Sequence, residues 1–95
     1  MHYLYILHSI TVNKYYIGET FNVNERLLKH NKHSYENSFT KVANDWKIVL
    51  SFKCDSKNQA VCIERFIKRM KSKVFIQKLI DDPAIINDII TKYEY

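Results

Sequence analysis

The sequence predicts a small α+β fold, a three-stranded antiparallel sheet covered by helices in the order β-β-α-β-α-α-α. Three observations predict it. The first twenty residues carry two short runs rich in β-branched and aromatic side chains, the apolar period turns helical from Ser56 onward, and the chain has one Gly and one Pro. So few breakers in 95 residues leave room for few loops and no low-complexity linker. The length suits one domain, residues 1–95, around one core.

Residues 2–8 and 14–18 read as strands, and "SITVNK" between them holds an Asn-Lys turn signal, so the pair forms an antiparallel hairpin ending at Gly18. A helix follows. Asn22 with Glu25 three residues later makes an Asn form of the capping box, Phe21 supplies a hydrophobic staple, and the helix runs to about Asn31. "NKHSYENSFTKVAND" is polar and irregular, long enough to be a binding loop. "WKIVLSFKC" is the third strand. Beyond it Ala60, Ile63, Phe66, Ile67 and Met70 fall on one arc at ~100° per residue, with Ser56 or Asp55 as the cap. "KVFIQKLI" is a short helix. Asp82 and Pro83 then occupy cap and first-turn positions ahead of an amphipathic helix carrying Ile85, Ile86, Ile89, Ile90 and Tyr93.

Fifteen Lys and Arg against ten Asp and Glu leave a net charge of +5, which suits a polyanionic partner. No stretch approaches the ~18 continuous apolar residues of a membrane helix. The start "MHYLYILHS" is too short and too polar-flanked for a secretory signal, so the expectation is a soluble, cytoplasmic protein with no membrane partner. Cys54 and Cys62 have no second pair to make a zinc site or a disulfide framework, and read as reduced core thiols.

Four features could carry chemistry. Tyr5 and Tyr16, one on each strand of the hairpin, can become neighbours across the ladder; core packing is the plain alternative. Arg26 and His30 lie four apart on the capped helix and share a face, as a solvated pair would. Glu64 borders the apolar arc of its helix, where a partly desolvated carboxylate seeks either Lys68 one turn later or a metal ion. Arg65, Lys68, Arg69, Lys71 and Lys73 form a basic ridge that tracks a phosphate backbone or simply faces solvent.

The order and spacing of these features decide between the readings. "YLYIL", then "YYIG", an Arg eight residues after the Gly, a His four further on, and a helical Glu after a Trp-headed strand resemble the GIY-YIG nuclease family. The likeness spans Tyr3 to about Ile80. It is strongest to small stand-alone members similar to the N-terminal incision domain of UvrC in DNA repair, through "SFTKVANDWKIVLSF" and "AVCIERFIKRMKSK".

That resemblance implies a GIY-YIG endonuclease-like fold and a metal-dependent endonuclease that nicks DNA, selective for structure or single strands, with Mg²⁺ or Mn²⁺ as cofactor. RNA is the alternative substrate, and monomer or homodimer stays open. Tyr5 matches the tyrosine of the first motif and Tyr16 that of the second, with Arg26, His30 and Glu64 completing the catalytic set around one shared hollow. Glu64 would hold the metal, Arg26 the non-bridging oxygens, and Tyr16 would act as general base, with His30 and Tyr5 orienting water and hydroxyls. His30 is the alternative base, since a free imidazole titrates near neutral pH. Lys41, Arg65, Lys68, Lys71 and Lys73 are the expected nucleic-acid contacts. Two departures stand out: Glu19 occupies a position where some members carry Lys, and an Asn that several members carry after the glutamate has no counterpart. A nucleic-acid-binding module without turnover is the second reading they allow.

Overall fold

The computed structural model describes residues 2–31 and 43–92. Three strands, β1 (His2–Ser9), β2 (Lys14–Thr20) and β3 (Lys47–Cys54), and four helices, α1 (Val23–Asn31), α2 (Lys57–Met70), α3 (Lys73–Asp81) and α4 (Ala84–Lys92), follow the predicted order. The segment between Asn31 and Ala43 expected to be a binding loop, with its Lys41, and Tyr93 lie outside the described residues.

The sheet is antiparallel with strand order β2-β1-β3, so β1 is central and β2 lies on an edge. Leu4, Tyr5, Ile6 and Leu7 are all buried, a continuous run that a central strand acquires when both faces of its sheet are covered. The pleat then sorts them. Leu4 and Ile6 join Ala60, Ile63 and Ile67 of α2, with α3 and α4, in the larger cluster. Tyr5 and Leu7 face Val23 and Leu27 of α1 together with Ala43 and Trp46. A shift in the β1–β3 register between Ile6 and Leu7 keeps Leu50 opposite Ile6 and moves Ile48 opposite Leu7.

Local chemistry explains the element ends. Asn13 takes the left-handed conformation in the hairpin turn, as Asn tolerates best after Gly. Asn22 caps α1 by accepting the Glu25 amide at 3.1 Å. The rest of the predicted capping box is replaced: the Thr20 hydroxyl accepts the Asn22 amide at 3.2 Å, leaving Glu25 to pair with Lys29 at 3.2 Å. Phe21 is 70% exposed and makes no staple. Ser56, rather than Asp55, caps α2, and Ser72 caps α3. Met70 leaves the predicted apolar arc and is exposed, because α2 ends there and the left-handed Lys71 redirects the chain into α3.

Two side chains fasten the sheet to its connections. Asn31 donates its amide to the Trp46 carbonyl at 2.9 Å and accepts the Trp46 N–H at 2.8 Å, joining the end of α1 to the start of β3. Asp45 accepts from the Ser9 hydroxyl and the Thr11 amide, and these bonds hold its pKa down at about 2. Both cysteines are free thiols as expected, Cys54 buried and Cys62 half-buried. No helix among the described residues is long and apolar enough to cross a membrane.

Candidate active site

The hairpin register places Tyr5 opposite Gly18 and Leu7 opposite Tyr16, so the two tyrosines are diagonal neighbours on the α1 face. Their ring centroids lie 6.2 Å apart. Gly18 makes this possible. A Cβ built there would lie 2.6 Å from the Tyr5 hydroxyl oxygen and 2.7 Å from its Cζ, closer than any side chain could be accommodated. The glycine is required for the passage of a ring over the strand, with no unusual backbone angle involved.

His30 closes the group from α1. Its Nε2 lies 3.0 Å from the Tyr5 hydroxyl and its ring centroid 4.6 Å from that of Tyr16. The imidazole is 1% exposed. Burial, and then the charge of Arg26 one turn earlier, lower its pKa to about 4. His30 is therefore neutral at pH 7 rather than poised near neutrality as its free pKa suggests, and its unprotonated ring nitrogen can accept from Tyr5. Arg26 is half-buried beside it. Tyr5, Tyr16, Arg26 and His30 thus assemble on one face as the sequence implied.

Glu64 arrives from the other side. Its helix packs on the face carrying Leu4, Ile6 and Ile17, opposite α1, so the five residues expected around one hollow lie instead on two faces of the sheet. Lys68 links the two faces: the ammonium lies 3.8 Å from a Glu64 carboxylate oxygen and 5.9 Å from the Tyr16 ring centroid. Glu64 is half-buried, and desolvation raises its pKa; Lys68 opposes that rise, and the negative charge of Glu19 adds to it. Glu19 in turn bonds His2.

The ridge divides in two. Lys68, Lys71 and Lys73 line a groove beside β2, whereas Arg69 lies over the Phe66 ring at 5.9 Å and is not among the groove's lining residues, and Arg65 is exposed. Sequence reasoning missed Asn31 and Lys14. The first carried no signal beyond its place at a helix end, and the second became relevant only once α3 folded back beside the hairpin turn.

The family model of the GIY-YIG catalytic domain matches residues 1–79, well over half of the chain. The chain belongs to the GIY-YIG family. Comparisons with curated proteins and with solved structures returned no significant match. The three-stranded antiparallel sheet with its helices is consistent with the GIY-YIG fold. The GIY-YIG family is one of nuclease hydrolases, its substrates are nucleic acids, and its members generally use divalent metals.

A divalent ion can be tested against the residues present. Among the described residues no group of three or more His, Cys, Asp or Glu side chains forms a metal cage. A half-buried carboxylate whose ionised form is disfavoured by desolvation and by Glu19 gains from an added cation. That donor set fits a magnesium-like ion, which takes one or two carboxylates and keeps several waters.

Proposed function

We propose that this GIY-YIG protein is a divalent-metal-dependent endonuclease that nicks one strand of DNA, favouring branched or single-stranded regions. On this reading it is of the UvrC-like type and acts in DNA repair in the cytoplasm. The observation that carries the reading is that the Tyr16 ring lies 4.6 Å from the neutral His30 ring and 5.9 Å from the Lys68 ammonium, with Glu64 paired to that same ammonium.

Hydrolysis needs a proton acceptor for water, neutralisation of charge at phosphorus and help for the leaving oxygen. Glu64 would hold Mg²⁺ or Mn²⁺, which when bound supplies Lewis acidity at the phosphate. Arg26 holds non-bridging oxygens through its planar fork. Tyr16 takes the proton of the attacking water at its Oη. A free phenol has a pKa of ~10, so this task needs the ionised phenolate and positive charge near it, and the Lys68 ammonium is 5.9 Å from the ring centroid. His30, held neutral, is a weak base and serves to orient the Tyr5 hydroxyl.

Plasmid nicking in Mg²⁺ or Mn²⁺ tests the reading. Wild type is expected to nick, with Glu64→Ala and Arg26→Ala slower by orders of magnitude and Tyr16→Phe strongly impaired. Full activity of Glu64→Ala would remove the metal role. A panel of single-stranded, duplex, flapped and branched DNA, with RNA, reads the substrate.

One observation favours a second reading, a nucleic-acid-binding module without turnover: Lys68 already pairs with Glu64, the carboxylate a metal would need. Salt-dependent binding with no cleavage in any divalent metal would establish it.

A further inference from the structure

Where β2 meets the α2–α3 junction, a groove of about 540 Å³ opens on the face of the sheet away from His30. Its sides carry Lys14, Lys68, Lys71 and Lys73, and among the described residues lining it none is acidic. Its floor is apolar, formed by Ile17, Ile67 and Ile76 with Tyr15. The Tyr15 ring is fixed in place, 4.7 Å from His8 between centroids and with its hydroxyl donating to Gln77 Oε1 at 2.8 Å. Lys73 is fixed as well, donating to the Asn13 carbonyl at 2.9 Å.

We propose that this groove holds an unpaired nucleotide of the strand being cut, its base against Tyr15 and the isoleucine floor and its flanking phosphates on the lysines. The proposal rests on the nuclease reading only for the continuity of the strand with the cleavage site. Three observations select that occupant. Four lysines line the groove and none of its described lining residues is acidic, a balance that suits a polyanion. The volume lies in the range that encloses a small-molecule-sized group such as one nucleotide, whereas a duplex keeps its bases stacked inside and offers an apolar floor nothing to bury. Lys68 belongs to both sites, paired with Glu64 and lining the groove, so a strand held at Glu64 lies next to the groove.

The test is fluorescence anisotropy in EDTA with a labelled oligothymidine and a blunt duplex, over a range of salt. Wild type is expected to prefer the single strand. Lys71→Asn, chosen because Asn tolerates the left-handed backbone at that position, combined with Lys73→Gln should weaken single-strand binding about tenfold. The slope of log affinity against log salt should flatten by about 0.7 for each phosphate left without a lysine. Tyr15→Leu keeps apolar volume but removes the aromatic face, and should weaken binding without changing that slope. Arg69→Gln, on the far side of α2, should leave binding unchanged. Equal affinity and slope for wild type and the lysine double variant, or an Arg69→Gln loss as large as theirs, overturns the groove. No step of this measurement involves cleavage: lysine-dependent binding without nicking would remove the nuclease reading and keep the groove, and nicking with lysine-independent binding would do the reverse.

Discussion

The hydroxyl of Tyr5 lies 3.0 Å from Nε2 of His30, and both side chains are almost wholly buried. This bond ties the central strand to α1 through a polar contact within an otherwise apolar layer.

Replacing Tyr5 by Phe removes the bond and leaves a buried ring nitrogen without that partner. The expected cost is about 1–3 kcal/mol, because an unsatisfied buried polar group loses its hydration without recompense. In a domain of this size that lowers the melting temperature by roughly 5 °C or more. Thermal denaturation followed by circular dichroism measures it, and an unchanged midpoint would mean that the bond contributes nothing.

Gly18→Ala should destabilise the fold through Tyr5, since the added methyl meets the ring at 2.6–2.9 Å. Overpacking of this kind costs about 1–3 kcal/mol. A double-mutant cycle identifies the cause. In a Tyr5→Leu background the alanine should cost much less, so the two changes should be strongly non-additive. Additive effects would place the strain elsewhere.

The fold was legible because its elements announce themselves locally. The hairpin follows from two β-rich runs around Asn13, and α2 from a helical period behind Ser56. What the sequence could not display is which side of the sheet each helix covers. Arg26 and His30 share a face by spacing alone, but Glu64 comes from a helix on the opposite layer, and its approach around the β2 edge depends on α2 packing across β1 and β2. The burial of His30 was equally hidden. Its spacing from Arg26 suits a solvated pair, whereas packing against two tyrosines removes it from water. The Glu25 half of the capping box failed for a local reason, competition from the Thr20 hydroxyl for the Asn22 amide, which no spacing pattern records.

Asn31→Ala should loosen the junction between α1 and β3. It removes both bonds to the Trp46 backbone, an acceptor and a donor beside a buried indole. A loss of about 1–3 kcal/mol is expected. Trp46 is the only tryptophan, so its fluorescence in urea unfolding reports the change at the site affected. Asn31→Asp should not rescue stability, because a carboxylate would face the Trp46 carbonyl without a proton to donate. Wild-type stability for Asn31→Ala would remove this latch from the account.

Arg26 should separate charge from geometry. If its guanidinium holds two phosphate oxygens, Arg26→Lys keeps the charge but loses the fork, and should recover only a small part of the activity lost in Arg26→Ala. Removal of such a donor typically costs about 10²–10³ in rate. Single-turnover cleavage at saturating enzyme isolates that step from binding. Near-wild-type turnover by Arg26→Lys would show that a point charge suffices.

His30 makes a directional prediction for acid stability. Its pKa is about 4 in the folded protein against 6.5 for the free side chain. Between those values the unfolded chain binds the extra proton, so stability rises with pH through the window. The contribution is fully present above pH 6.5, is lost as pH falls from there toward 4, and does not change further below. Its size is up to about 3 kcal/mol. Arg26→Gln removes the smaller of the two causes of the shift, so the folded pKa should move up from about 4 while burial keeps it below 6.5. The acid loss should then begin at the same pH but end higher and be smaller. Urea unfolding at half-unit pH steps, compared with His30→Gln as a non-titrating control, reads the difference; parallel pH profiles for wild type and His30→Gln would show that this buried imidazole does not govern acid stability.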